Sequence, residues 1–150
     1  MIRDAIKAAT IAAMKGGDKE TTATLRLVSA AIKNRDIEAR TGGAPKDDDA
    51  LVTEVLQKMI KQRRESAEVY RKGNREDRAA AEEGEIAVIE RFLPAQLSDA
   101  EAEAKVREII AETGASSMKD MGRVMGLVKE RLGTSIEPAR ASALVKAALT

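Results

Sequence analysis

An all-α fold in two small helical parts is what this sequence predicts, and three observations carry it. The chain is 43% apolar but holds only two aromatic residues, Tyr70 and Phe92, so its core must be aliphatic and draw heavily on the strong helix formers Ala, Leu and Met. Apolar positions recur at three- and four-residue spacing, and no segment keeps the period-two alternation of a strand. Glycine and proline fall between the periodic stretches, at Gly16-Gly17, Gly42-Gly43-Ala44-Pro45, Gly73 and Pro94, where they stop one helix and admit the next.

Taken in order, the first helix is predicted over Ile2 to Met14, with Ile2, Ile6, Ala9 and Ala13 on one stripe. A second begins between Glu20 and Thr22 and carries Leu25, Val28 and Ile32. The third is marked at both ends: Asp47, Asp48 and Asp49 suit the positive N-terminal end of the helix dipole, and Arg71 and Lys72 suit the negative end. Its stripe is Val52, Val55, Leu56, Met59 and Ile60, continuing toward Ala67 and Tyr70. Beyond the Gly73-Asn74 turn a fourth helix runs to Leu93, with Ala79, Ile86, Ile89 and Leu93 facing one way, and the pair forms a long antiparallel hairpin.

Pro94 divides residues 1–93 from a three-helix tail domain at 94–150. Ser98 with Glu101 is a capping-box signature for a helix ending at Thr113-Gly114, and Ser117 with Asp120 reads as a second such start for a helix ending at Leu132-Gly133. The last helix begins at Glu137-Pro138, where proline is tolerated in a first turn, and carries Leu144, Val145 and Leu149.

Composition narrows the chemistry. With 26 Lys and Arg against 25 Asp and Glu, the formal net charge of +1 cannot gather polyanions by itself, so any nucleic-acid contact must be local. The absence of Cys excludes disulfides, thiolate zinc sites and thiol nucleophiles; the absence of His excludes triad hydrolysis and His-ligated zinc. Arg3, Asp4 and Lys7 interrupt the N-terminal stretch, and no run approaches ~18 apolar residues. The resulting expectation is a soluble, cytoplasmic protein with no membrane partner.

An enzyme built from these residues would rely on carboxylates, lysines, hydroxyls or a carboxylate-held metal, and the sequence places few of them tellingly. Gly16-Gly17-Asp18-Lys19 lacks the strand and spacing of a phosphate loop and reads as a turn. Asp47, Asp48 and Asp49 can hold Mg²⁺ in principle, but the dipole accounts for them, and no metal or cofactor is expected. Of Glu82, Glu83 and Glu85, Glu82 lies on the fourth helix's apolar stripe with Ala79, Ile86, Ile89 and Leu93 and needs a partner there; mirroring the hairpin about Gly73-Asn74 sets Arg63 opposite Glu82 or Glu83, and the expected structural charge pair is Arg63 with Glu82. Lys58, Lys61, Arg64 and Arg71 read as a solvated face broken by Glu65 and Glu68.

The segment Lys119 to Arg131 is the most informative. Gly122 and Gly126 lie one turn apart inside a predicted helix, where each costs ~1 kcal/mol relative to Ala. Their bare backbone permits close approach, either of a neighbouring helix or of a phosphate-ribose strand flanked by Lys119, Arg123, Lys129 and Arg131. No aromatic platform for stacking unpaired bases is present there.

Several stretches carry a family likeness: Leu25-Arg26 with Ala31-Ile32-Lys33; Gly73-Asn74-Arg75-Glu76-Asp77 through Glu82 and Glu85-Ile86; Phe92 through Ser98; and Met121 through Gly126. In that order, over nearly the whole chain, they resemble the GatB/YqeY family. The resemblance implies an N-terminal helical domain joined to a three-helix tail shared with the B subunit of glutamyl/aspartyl-tRNA amidotransferase, where the tail is associated with the tRNA body. Carried over by position, Gly122, Arg123, Met125 and Gly126 match the tail motif, with Lys119 and Lys129 alongside. Glu137, after Thr134-Ser135-Ile136, departs from the neutral or basic turn that an RNA-facing site calls for.

Three functions stand open. The first is a non-catalytic tRNA-associated module acting through Lys119, Gly122, Arg123, Gly126, Lys129 and Arg131. The second is a carbon–nitrogen ligase with glutamine as amido-N-donor, or an accessory subunit of one, which the resemblance implies although no ATP-activating cradle or glutaminase is visible in the sequence. The third is a helical adaptor for a protein of the translation or amidotransferase machinery.

Overall fold

A computed structural model describes residues 1–150, which form seven α-helices and no strand. They are α1 (Ile2–Lys15), α2 (Lys19–Ala39), α3 (Asp48–Lys72), α4 (Glu76–Glu90), α5 (Asp99–Thr113), α6 (Met121–Leu132) and α7 (Pro138–Leu149). They fall into two compact units, Met1–Leu93 and Pro94–Thr150, each with an aliphatic core of its own.

In the first unit α3 is the central helix, packed against α1, α2 and α4. From Leu51 to Ile60 only Glu54 and Lys58 are exposed, so the buried surface is wider than the stripe of Val52, Val55, Leu56, Met59 and Ile60 and also takes in Leu51, Thr53 and Gln57. Burying each Leu, Ile or Val contributes about 1.5–3 kcal/mol. The Thr53 hydroxyl enters without an orphaned donor, because it donates to the Asp49 carbonyl at 2.7 Å. Ile6 from α1, Leu25, Val28 and Ile32 from α2, and Ile86, Val88 and Ile89 from α4 close the core.

The helix ends have local causes. Gly17, at φ +71°, turns the chain out of α1, and the Asp18 carboxylate then accepts the Thr21 N–H at 3.1 Å. That cap starts α2 at Lys19, one residue ahead of the predicted Glu20. α4 stops at Glu90, short of the expected Leu93; residues 91–93 turn, and Phe92 and Leu93 still lean on the core.

Arg3 ties three helices together. Its guanidinium grips Asp36 of α2 through two bonds of 2.8 and 2.9 Å and Asp48 of α3 through bonds of 2.8 and 3.2 Å, while Asp49 accepts the Ile2 N–H at 3.0 Å. The aspartates thus serve the packing of α1 rather than a shared ion. Hydrogen bonds from Arg3 hold the Asp36 and Asp48 carboxyls below their usual range, and the two carboxylates together push the guanidinium up.

The α3–α4 hairpin corrects the expected Arg63–Glu82 pair. Asn74 takes φ 58°, and the Arg75 N–H closes the turn on the Tyr70 carbonyl at 2.8 Å. The three-residue connection centres the hairpin on Asn74 itself, so the residue equidistant from Arg63 is Glu85. Arg63 Nε donates to Glu85 at 2.7 Å, with the arginine side chain 14% and the glutamate 33% exposed, and Glu82 takes no part in that pair. Arg63 also donates to the Met59 carbonyl at 3.2 Å, so the pair is oriented as well as charged.

In the second unit the Ser98–Glu101 capping box forms in both directions, at 3.2 Å each way. α5 ends at Gly114, left-handed at φ 67°. The second expected box does not form. Met118–Asp120 is a short 3-10 turn in which the Asp120 N–H donates to the Ser117 carbonyl, and the Asp120 carboxylate accepts instead from the Ser116 N–H at 3.1 Å. Val106, Ile109, Val124, Val128, Val145 and Leu149 fill the space between α5, α6 and α7. The segment leading into α5 is pinned as Leu97 N–H donates to Ser135 O and the Gln96 amide to Thr134 O, both at 2.8 Å.

Two expected outcomes follow. Arg3→Ala lowers stability at pH 7 by about 1 kcal/mol, the scale of a partly exposed network. Since the folded carboxyl pKa values lie below their unfolded ones, that loss is full above the unfolded value near ~3.9 and fades as pH falls through the folded values, so urea melts of wild type and variant converge in acid. In a double-mutant cycle, Arg63→Ala couples to Glu85→Ala by about 1–2 kcal/mol and to Glu82→Ala by less than about 0.5 kcal/mol.

Candidate nucleic-acid interface

The site is built on α6. Val124 and Val128 point into the tail core, and the opposite side of the helix carries Gly122, Gly126 and Lys129 at the i, i+4, i+7 spacing of a single face. All three are exposed. A Cβ built on Gly122 or Gly126 meets nothing within 4 Å, so neither glycine is there to admit a neighbouring helix. Of the two occupants that the sequence left open, the packed helix is removed.

The candidate cations divide. Lys119 is exposed on the 3-10 turn at the head of α6, and Lys129 is exposed beside the glycines; neither makes an ion pair. Arg123, 56% exposed, is tethered from one nitrogen to the Thr113 carbonyl at 3.2 Å and to Asp120 at 3.3 Å, which fixes the guanidinium at the edge of the face. Arg131 is not part of the constellation. It lies about 140° round the helix from Gly126 and pairs with Glu112 of α5. Residues 94–150 carry eight Lys and Arg and eight Asp and Glu, so the surrounding unit adds no net field. Glu137, the carboxylate that departs from the expected turn, is the N-cap residue of α7.

Glu112 and Thr113 escaped the sequence reading. They matter as anchors of Arg131 and Arg123, and their place in the last turn of α5 showed only that they end a helix.

The fold and this face define a class: a two-unit helical protein that keeps bare backbone and a few cations open on its tail. The profile of the family described as Yqey-like protein matches residues 3–149, and the chain belongs to that family. Among individual proteins, it is 36% identical over 123 residues to "Altered inheritance of mitochondria protein 41, mitochondrial" of Meyerozyma guilliermondii, covering 78% of this chain and 62% of that protein. It is 38% identical over 103 residues to the protein of the same name in Lachancea thermotolerans, covering 67% and 53%. The Vanderwaltozyma polyspora protein of that name is 31% identical over 115 residues, covering 73% and 60%. The chain therefore spans between half and two thirds of the length of these relatives.

Those names overturn the cytoplasmic expectation, because all three relatives are mitochondrial by name. The expectation rested on the lack of a long apolar run, which speaks to secretion and membrane insertion and does not discriminate among compartments reached by other routes.

The open glycines give a direct stability test. Gly122→Ala and Gly126→Ala each raise stability by up to about 1 kcal/mol in denaturant melts, because alanine replaces a flexible residue inside a helix where nothing obstructs it. Gly84, equally unobstructed inside α4, gives the same gain as a control.

Proposed function

We propose that the chain is a tRNA-associated module that lays the α6 face against a phosphate-ribose backbone and has no catalytic centre of its own. What carries the reading is the emptiness over Gly122 and Gly126: two helix-interior glycines lower stability, and no neighbouring element uses the space they leave. Backbone approach suits the wide minor groove of A-form RNA, where recognition runs through 2′-hydroxyls and phosphates. Lys129, Lys119 and the tethered Arg123 lie where such a strand would pass. The resemblance to the GatB/YqeY family read from the sequence, which implies a tail shared with the amidotransferase B subunit, favours the same assignment.

With only two or three cations engaged, binding is modest and its salt dependence shallow, a slope of about −2 to −3 in log K against log salt. Fluorescence anisotropy of the full chain with labelled tRNA tests it. Gly126→Gln and Arg123→Glu each weaken binding at least fivefold with the helical circular-dichroism signal intact, while Gly84→Gln leaves it unchanged. Wild-type binding that ignores all three changes refutes the assignment, and glutamine-dependent conversion of a misacylated tRNA by the purified chain would replace it with the ligase reading.

A further inference from the structure

The positive charge of the chain is concentrated at the other end. Residues 1–40 hold eight Lys and Arg against five Asp and Glu, although the whole chain is balanced to +1. Arg3 and Arg35 turn inward to Asp36, Asp48 and Glu54. The others do not. On α2, Lys19, Arg26 and Lys33 recur every seven residues, which sets them in a line along one side of the helix at intervals of about 10 Å. On α1, Lys7 and Lys15 are exposed, and none of these five cations makes an ion pair.

Helix geometry brings both sets onto one surface. α1 and α2 pack as an antiparallel pair whose inward sides carry Ile6, Leu25, Val28 and Ile32. Arg26 reaches across the pair to the Met14 sulfur at 3.9 Å, which places the α2 line beside the exposed side of α1. Large aliphatic side chains stand among the cations: Ile11, Met14 and Ile37 are 54%, 53% and 49% exposed. Between them lie the small exposed residues Ala8, Ala12 and Ala30. Asp4 shares the face, and Glu20 is exposed next to Lys19 at the start of α2; Asp18 caps α2, and Glu38 pairs with Arg35 at 3.8 Å.

We propose that the outward face of the α1–α2 hairpin is a peripheral docking surface for an anionic phospholipid bilayer, on which the lysines and arginine meet headgroup phosphates while Ile11, Met14 and Ile37 enter the headgroup boundary. Unpaired cations interleaved with exposed aliphatics are the chemistry of a helix that lies on a membrane. A nucleic acid uses the cations but gains nothing from the aliphatics, and the face has no aromatic on which a base could stack. No helix of the chain is long and apolar enough to cross a membrane, so the contact is peripheral. The expectation of no membrane partner was drawn from that same lack of a spanning segment, which does not bear on a surface contact. The seven-residue spacing of Lys19, Arg26 and Lys33 was visible in the sequence; that this line faces outward beside Ile11 and Met14 was not.

Co-flotation of the full chain with extruded vesicles decides the matter. The expected result is binding to phosphatidylcholine containing roughly one third phosphatidylserine, little or none to phosphatidylcholine alone, and weakening as salt rises toward about 0.15 M. Reversing two charges with Arg26→Glu and Lys33→Glu lowers the partition coefficient at least about tenfold. Ile11→Ser with Ile37→Ser removes the part that survives salt, and Arg123→Glu on α6 changes nothing. Both charge-reversed positions are exposed and outside any ion pair, and Arg26 gives up only a long contact to the Met14 sulfur, so circular dichroism should show an intact fold. Failure to float, equal binding to neutral vesicles, or binding that ignores the charge reversal overturns the proposal. So does loss of tRNA binding by the same reversal in a chain that never floats, which would give this face to RNA.

Discussion

Everything in the first unit depends on α3 being surrounded. With no Trp in the chain and its one Phe only at the edge of this core, the interior has to be closed by many aliphatic contacts around one helix. Leu51 to Ile60 is therefore buried on nearly every side, and α1, α2 and α4 are arranged as its cover. The polar ties follow from that arrangement: Arg3 holds the start of α1 to α2 and α3, and Arg63 with Glu85 holds α4 against the far half of α3. Neither tie organises the unit by itself; each keeps a covering helix at its proper place on an aliphatic axle.

Helix existence and helix class were legible because the signals are local. The Ser98 and Glu101 box and the Gly114 stop lie within a few residues of the boundaries they set, and Pro138 likewise opens α7. What failed was longer-ranged or finer. Glu82 shares the apolar stripe of α4, which favours it as the partner of Arg63, but facing position is set by the turn: a connection centred on Asn74 puts position 85 opposite Arg63, three residues beyond Glu82. Ser117 and Asp120 have the spacing of a capping box, but a 3-10 turn there redirects the carboxylate to Ser116, a competition between two local geometries that composition does not resolve. Periodicity reports one stripe of α3, whereas the stretch Leu51 to Ile60, covered from three sides, also hides residues such as Thr53 that no stripe predicts.

The two proposed surfaces were legible in part. Gly122 and Gly126 stand out in a sequence because their energetic cost is intrinsic, but whether they face a helix or solvent is a tertiary fact, and so is the diversion of Arg131 to Glu112. The two surfaces also differ in physical character. On α6 the backbone is bare and the charge sparse, while on the α1–α2 hairpin the charge is dense and the aliphatics prominent. They lie in separate units, so a change at one leaves the chemistry of the other as it was.

The left-handed Asn74 sets more than the direction of the chain. Adding or removing one residue in that connection would rotate α4 by about 100° relative to α3. Ile86 and Ile89 would then swing off the core while glutamates swung toward it. The hairpin thus behaves as a phase lock: its length, more than the identity of any side chain on α4, decides which side of that helix is dry. Insertions should be tolerated far better at Gly42-Gly43, where the chain is already irregular and exposed, than at this turn.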